Sequence, residues 1–166
     1  MRNEKDYYPP VARWFESKKG CESTKLELPF SGLTVLTGDI VGEQNGSAMF
    51  VCELKPYPYP IGASGYGSIG QALALRKNAR YVYVACVASD SHDVKDRSWE
   101  LVSRKRSVAR LLSELSLPQP GSFDDYIDDV RAVFRHFISD LKLGLLVVRE
   151  HKDAECKVYE VVEAPI

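Results

Sequence analysis

The pattern of apolar and polar positions along the chain predicts six strands and four helices. Pro9 and Pro10 open an apolar-periodic stretch over residues 11–19, and Gly20 closes it, so a short helix with proline at its start and glycine past its end is expected. Residues 21–28 read as an edge strand. Residues 33–41 and 48–55 read as two strands joined by a turn signal, Gly42-Glu43-Gln44-Asn45-Gly46-Ser47. Pro56, Pro58 and Pro60, followed by Gly62, Gly65 and Gly67, mark a loop. Ile69, Ala72, Leu73 and Leu75 then share one side of a helix over 68–78. Residues 81–88 form a continuous apolar run, expected of a strand buried on both faces.

After a polar loop over 89–97, residues 99–117 predict a helix rich in Arg and Lys, stopped by Pro118. Ser122-Phe123-Asp124-Asp125 has the form of a capping box with Asp in place of the usual Glu or Gln. It opens a long amphipathic helix through Tyr126, Ile127, Val130, Phe134, Phe137, Ile138 and Leu141, which Gly144 is expected to end. Asp124, Asp125, Asp128 and Asp129 sit near the positive end of that helix and read as its stabilisers. Strands over 145–149 and 157–163 complete the order.

These elements predict one α/β domain over residues 1–166, a central mixed β-sheet flanked by helices, with a basic helical insertion near 89–120. At 45% hydrophobic residues in 166 the core is ample. No apolar run is long enough to span a membrane, and the charged, Tyr-Pro-rich start is unlike a signal peptide. Cys21, Cys52, Cys86 and Cys156 are isolated, and the three histidines show no ligand spacing, which argues against zinc and for a reducing, cytoplasmic setting. A net charge of −1 gives no general attraction to nucleic acid. Binding of that kind would fall to a local patch, and the densest is Arg97, Arg104, Lys105, Arg106 and Arg110.

The strand over 48–55 is apolar until it ends on Glu53 and Lys55, which alternation points to one face. Burying unlike charges at the end of a core strand is costly unless they are used. A divalent metal held by Asp39 and Glu53, with Lys55 beside it, is such a use. The hairpin register decides whether Asp39 joins them. A two-residue Asn45-Gly46 turn pairs Gln44 with Ser47 and leaves Asp39 opposite Cys52, on the wrong face. A three-residue Gln44-Asn45-Gly46 loop pairs Glu43 with Ser47 and Asp39 with Val51, a diagonal neighbour of Glu53. The odd loop is therefore the expectation.

The strand ending in Asp39, the Glu53-Leu54-Lys55 strand, a crossover helix carrying Gln71 and the strand over 81–88, preceded by a helix bearing Glu16, resemble the PD-(D/E)XK phosphodiesterase superfamily, the restriction-endonuclease-like fold. Tyr7-Tyr8-Pro9-Pro10-Val11, Leu143-Gly144-Leu145-Leu146-Val147-Val148 and Val161-Val162-Glu163-Ala164-Pro165 are similar to an uncharacterised prokaryotic branch of phosphodiesterases. The resemblance spans most of the chain outside the basic insertion. Gly38 stands where the family commonly has Pro, and Leu75 where the exonuclease-like branch has Tyr, so exonuclease activity is not implied. What the resemblance implies is a nuclease cleaving nucleic acid, DNA first, with Mg²⁺ or Mn²⁺ on Asp39 and Glu53. Lys55 orients the attacking water, Glu16 adds a distal ligand, and Gln71 positions the nucleophile or a phosphate. A homodimer is open.

Plainer readings stand beside these. Asp39 starts a turn and Glu53 pairs with Lys55 at the surface; Glu16 and Gln71 are solvated helix residues; the basic cluster is a solvated helix face or a protein contact. Gly65-Tyr66-Gly67-Ser68-Ile69-Gly70 is a literal GxGxxG, but no strand runs directly into it, so nucleotide binding is the weaker alternative. The glycines are expected to form a loop over the site, with Tyr57, Tyr59 and Tyr66 available to stack on bases. An inactive nuclease-fold binding subunit is the non-enzymatic alternative.

Overall fold

The computed structural model describes residues 3–30, 36–57, 59, 65–89, 122–151 and 154–165. After a short 3₁₀ turn, Glu4–Tyr7, the elements are α1 (Tyr8–Lys19), β1 (Ser23–Phe30), β2 (Leu36–Gln44), β3 (Ser47–Lys55), α2 (Gly65–Leu75), β4 (Tyr81–Ser89), α3 (Phe123–Ile138), β5 (Gly144–Glu150) and β6 (Lys157–Val162). The six strands make one sheet in chain order. β1, β2 and β3 pair antiparallel, β3, β4 and β5 pair parallel, and β6 returns antiparallel. This is the expected α/β class with a mixed sheet. The helix predicted over 99–117 and the basic residues Arg97, Arg104, Lys105, Arg106 and Arg110 lie outside the described residues.

Helices cover both faces, which is why β4 reads as unbroken apolar sequence. Val82, Val84, Cys86 and Ala88 pack with Ile69 and Ala72 of α2 and with Tyr126, Val130, Val133 and Phe134 of α3. The intervening Tyr83, Ala85 and Val87 pack with Tyr8, Val11, Ala12 and Phe15 of α1 on the opposite face. Those four α1 residues are spaced three, four and seven apart, so they form a single buried stripe. Gly20 takes the left-handed cap (φ 67°) that ends α1 with Lys18 and Lys19 in its last turn.

Three local expectations are corrected. The β2–β3 hairpin uses the two-residue Asn45-Gly46 turn (φ 52° and 71°), pairing Gln44 with Ser47, rather than the three-residue loop. A bulge follows: Glu43 pairs with Ala48 but Gly42 with Phe50, leaving Met49 as the extra residue. The bulge restores the match between faces, since it sets Ile40 opposite Cys52 on the α1 side and Val41 opposite Val51 on the other. The glycines from Gly65 onward are not loop: α2 begins at Gly65, so Gly65, Gly67 and Gly70 all lie within the helix, while Gly62 lies outside the described residues. Finally, α3 stops at Ile138, a 3₁₀ turn covers Ser139–Leu141, and Lys142 (φ 52°) makes the bend expected of Gly144. Gly144 opens β5 instead, and the need for glycine there is close packing: a Cβ would lie 2.4 Å from the Tyr83 ring and 2.7 Å from the Ala164 nitrogen.

Among the described residues no helix is long and apolar enough to cross a membrane, and all four cysteines are free and buried. Two glycine substitutions test the packing. Gly144→Ala should destabilise the protein by about 1–3 kcal/mol through overpacking. Gly70→Ala, whose Cβ meets no described atom within 4 Å, should stabilise by about 0.5–1 kcal/mol as an ordinary helical alanine. Urea denaturation of both variants reads the two signs, and equal effects would contradict the packing.

Candidate metal and phosphate site

The bulge has a second consequence at the other end of the hairpin. Continued past Ile40 and Cys52, the register sets Asp39 directly opposite Glu53, not opposite Val51 or Cys52. The ladder between β2 and β3 stops at Ile40–Cys52 even though both strands continue. The outer part of β2 stays with β1, where Gly38 pairs with Leu28 and Leu36 with Phe30. The end of β3 stays with β4, where Glu53 pairs with Val84 and Lys55 with Cys86. The sheet forks, and Asp39 fills the fork: its Oδ2 accepts the Leu54 N–H at 2.8 Å, a donor that the interrupted ladder leaves unpaired.

Glu53 faces this carboxylate with 1% of its surface exposed. Among the described residues neither of its oxygens meets a hydrogen-bond partner. Burial, then the charge of Asp39, pushes the Glu53 carboxyl up to about 8. Burial also raises Asp39, against the Leu54 N–H and Lys55, which favour its ionised form. Two facing carboxyls with one amide donor and one ammonium nearby cannot both be comfortably ionised. The surface ion pair between Glu53 and Lys55 is thereby excluded, and Asp39 lies inside β2 rather than at a turn.

Lys55 Nζ lies 3.1 Å from Glu4 Oε1 and 3.8 Å from Asp39 Oδ2. Burial works to lower the lysine, but Asp39, Glu4 and Glu53 together hold it above its ordinary value. Tyr8 Oη donates to the same Glu4 oxygen at 3.2 Å and also lies against Asp39. Burial, then the charges of Asp39 and Glu4, holds the tyrosine hydroxyl protonated. The turn carrying Glu4 is fastened at both ends. Asn3 Oδ1 accepts the Glu4 N–H at 2.9 Å, and the Asn3 N–H donates to Asp6 at 2.6 Å. Lys5 reaches Glu27 of β1 at 2.7 Å, and Tyr7 donates to Glu150 at the end of β5 at 3.0 Å.

The structure therefore brings together Asp39, Glu53 and Lys55 and adds Glu4 and Tyr8. It does not bring Glu16, which accepts a 2.7 Å hydrogen bond from Thr24 and lies about 12 Å along α1 from Tyr8. Gln71 is exposed on α2. Tyr59 is core, 7% exposed and edge-on to Tyr126, so it is not available to stack on bases; Tyr57 is exposed, and the Tyr66 side chain lies outside the description. Among the described residues no cluster of three or more His, Cys, Asp or Glu could hold a metal. Two carboxylates are nonetheless a fitting donor set for Mg²⁺ or Mn²⁺, which bind through one or two carboxylates and keep several waters. The partnerless oxygens of Glu53 are the observation that favours such a cation. In comparisons with known proteins, no family model, curated protein or solved structure matches the chain.

Because the folded state holds the Glu53 proton that the unfolded chain releases near its ordinary value of 4.5, the pair contributes stability at low pH. That contribution falls as pH rises from about 4.5 and is lost through about 8. Metal-free protein followed by urea denaturation across this range should lose stability with rising pH. Glu53→Gln should flatten the slope. Identical profiles for the two proteins would show that the carboxylates do not share a proton.

Proposed function

We propose that this protein is a Mg²⁺- or Mn²⁺-dependent nuclease of the PD-(D/E)XK type, built on a restriction-endonuclease-like fold. The observation that carries the reading is the fork itself: Asp39 and Glu53 face each other with too few donors, and the Lys55 ammonium stands 3.8 Å from Asp39. The helix-covered mixed sheet supports it, with the acidic hairpin running into the parallel strands. When bound, a divalent cation supplies positive charge against the scissile phosphate and lowers the pKa of water. Asp39 and Glu53 would hold it. Lys55 donates to the attacking water or to a phosphate oxygen and meets negative charge as it develops. Exposed Tyr57, two residues beyond Lys55, offers a ring to an unpaired base. The substrate class is nucleic acid, DNA first, in a cytoplasmic setting consistent with four free cysteines.

A second reading, a nuclease-fold subunit that binds without cleaving, draws on the Glu4 contact, which occupies Lys55. The nucleotide-binding alternative loses ground, because all three glycines of the GxGxxG lie inside α2 rather than in a turn before it. Cleavage assays with Mg²⁺ or Mn²⁺ on single-stranded, duplex and branched DNA and RNA separate the first two. Lys55→Ala should lower the cleavage rate about 10²–10³-fold, because Lys55 acts on transition-state charge, and should weaken nucleic-acid binding only modestly, because it meets one phosphate among the many a nucleic acid presents. Nucleic-acid binding without cleavage by the wild type on every substrate would favour the inactive subunit.

A further inference from the structure

Glu4 Oε1 is the meeting point of two donors from different elements. Lys55 Nζ at the end of β3 lies 3.1 Å from it and Tyr8 Oη in the first turn of α1 lies 3.2 Å from it. Both donors are fixed by the core: Tyr8 is 3% exposed, and Lys55 follows the fully buried Leu54. A cationic donor and a phenolic donor aimed at one oxygen form a seat for an anionic oxygen. The group in that seat comes from the half-buried 3₁₀ turn before α1, outside the strand and α-helix that supply the two donors.

We propose that Lys55 and Tyr8 form an oxyanion seat for a phosphate group, and that the Glu4 carboxylate is a tethered occupant which the phosphate displaces. The carboxylate oxygen stands in for a non-bridging phosphate oxygen, with the same charge type and the same two hydrogen bonds. Glu4 competes as a tethered ligand, so it acts at a high effective concentration without adding affinity for anything else. The turn that carries it is attached through Lys5–Glu27 and Tyr7–Glu150, contacts that do not involve the seat. Displacement therefore requires only a swing of the Glu4 side chain. The seat adds Tyr8 to the phosphate-binding groups, and that the phosphate belongs to nucleic acid rests on the nuclease reading.

The probe is inorganic phosphate, followed by calorimetry without metal or nucleic acid, at mildly acidic pH where the ion carries one charge like the carboxylate it replaces. Glu4→Gln and Glu4→Ala should each bind phosphate roughly ten-fold more tightly than wild type, because the tethered competitor is gone. Adding Tyr8→Phe to Glu4→Gln should weaken phosphate binding again, and adding Lys55→Ala should abolish it. Circular dichroism and melting temperature identify folded variants, and either Glu4 variant alone suffices for the comparison. Unchanged or weaker phosphate binding in a folded Glu4 variant would overturn the seat. Tighter phosphate binding in a protein that cleaves no nucleic acid would leave the seat standing and remove the nuclease.

Discussion

The contact on which the functional end of this molecule depends is Asp39 against Glu53 in the fork between β2 and β3. The Leu54 amide and the Lys55 ammonium there both lie against Asp39, and neither reaches hydrogen-bond distance of Glu53. Breaking a ladder and burying a carboxyl whose oxygens meet no hydrogen-bond partner among the described residues costs several kcal/mol unless a cation or proton compensates. In the metal-free protein the compensation is a raised Glu53 pKa. A hard divalent cation would compensate more completely, replacing the proton with two positive charges and accepting both carboxylates as ligands. A site that is poor as structure and good as a cation cage is a functional candidate on physical grounds.

The rest of the fold holds this arrangement in place. The bulge at Met49 sets the parity that turns Asp39 toward Glu53, and the same bulge keeps Ile40 and Val41 on their proper faces. Core packing and site geometry therefore depend on one extra residue. Parallel pairing of β3 with β4 keeps Glu53 and Lys55 in register beyond the point where β2 departs. α1 contributes Tyr8 from the same stripe that buries Val11, Ala12 and Phe15, so the hydroxyl is as rigid as the core.

Much of this was legible in the sequence, and the misses have physical causes. The six strands and the capped first helix follow from alternation, Pro9, Pro10 and Gly20, whereas the juxtaposition of Asp39 with Glu53 was expected only through a three-residue loop that the hairpin does not use. The way in which Asp39 reaches Glu53 did not follow. Asn45-Gly46 favours a two-residue turn locally, and only packing on both sheet faces adds the bulge that corrects its parity. Glu16 was expected at the site because the family resemblance places an acidic residue on the first helix, yet it is Tyr8, at the start of α1, that lies against Asp39, while Glu16 accepts from Thr24. Glu4 could not be read from spacing, since 51 positions separate it from Lys55. Its one local signal is the Asn3-to-Asp6 cap, which fixes the turn but not what the turn touches. The tyrosines after β3 were expected to act alike, but Tyr59 turns into the core beside Tyr126 while Tyr57 stays at the surface.

Calorimetric titration of the metal-free protein with Mn²⁺ and Mg²⁺ bears most directly on the central claim that Asp39 and Glu53 form a cation site. The account predicts one site per chain, with proton release on binding as Glu53 ionises, and a loss of roughly ten-fold or more in affinity for folded Asp39→Asn or Glu53→Gln. Unchanged affinity in both folded variants, or no binding by the wild type, would show that the paired carboxyls are structural and would contradict the account.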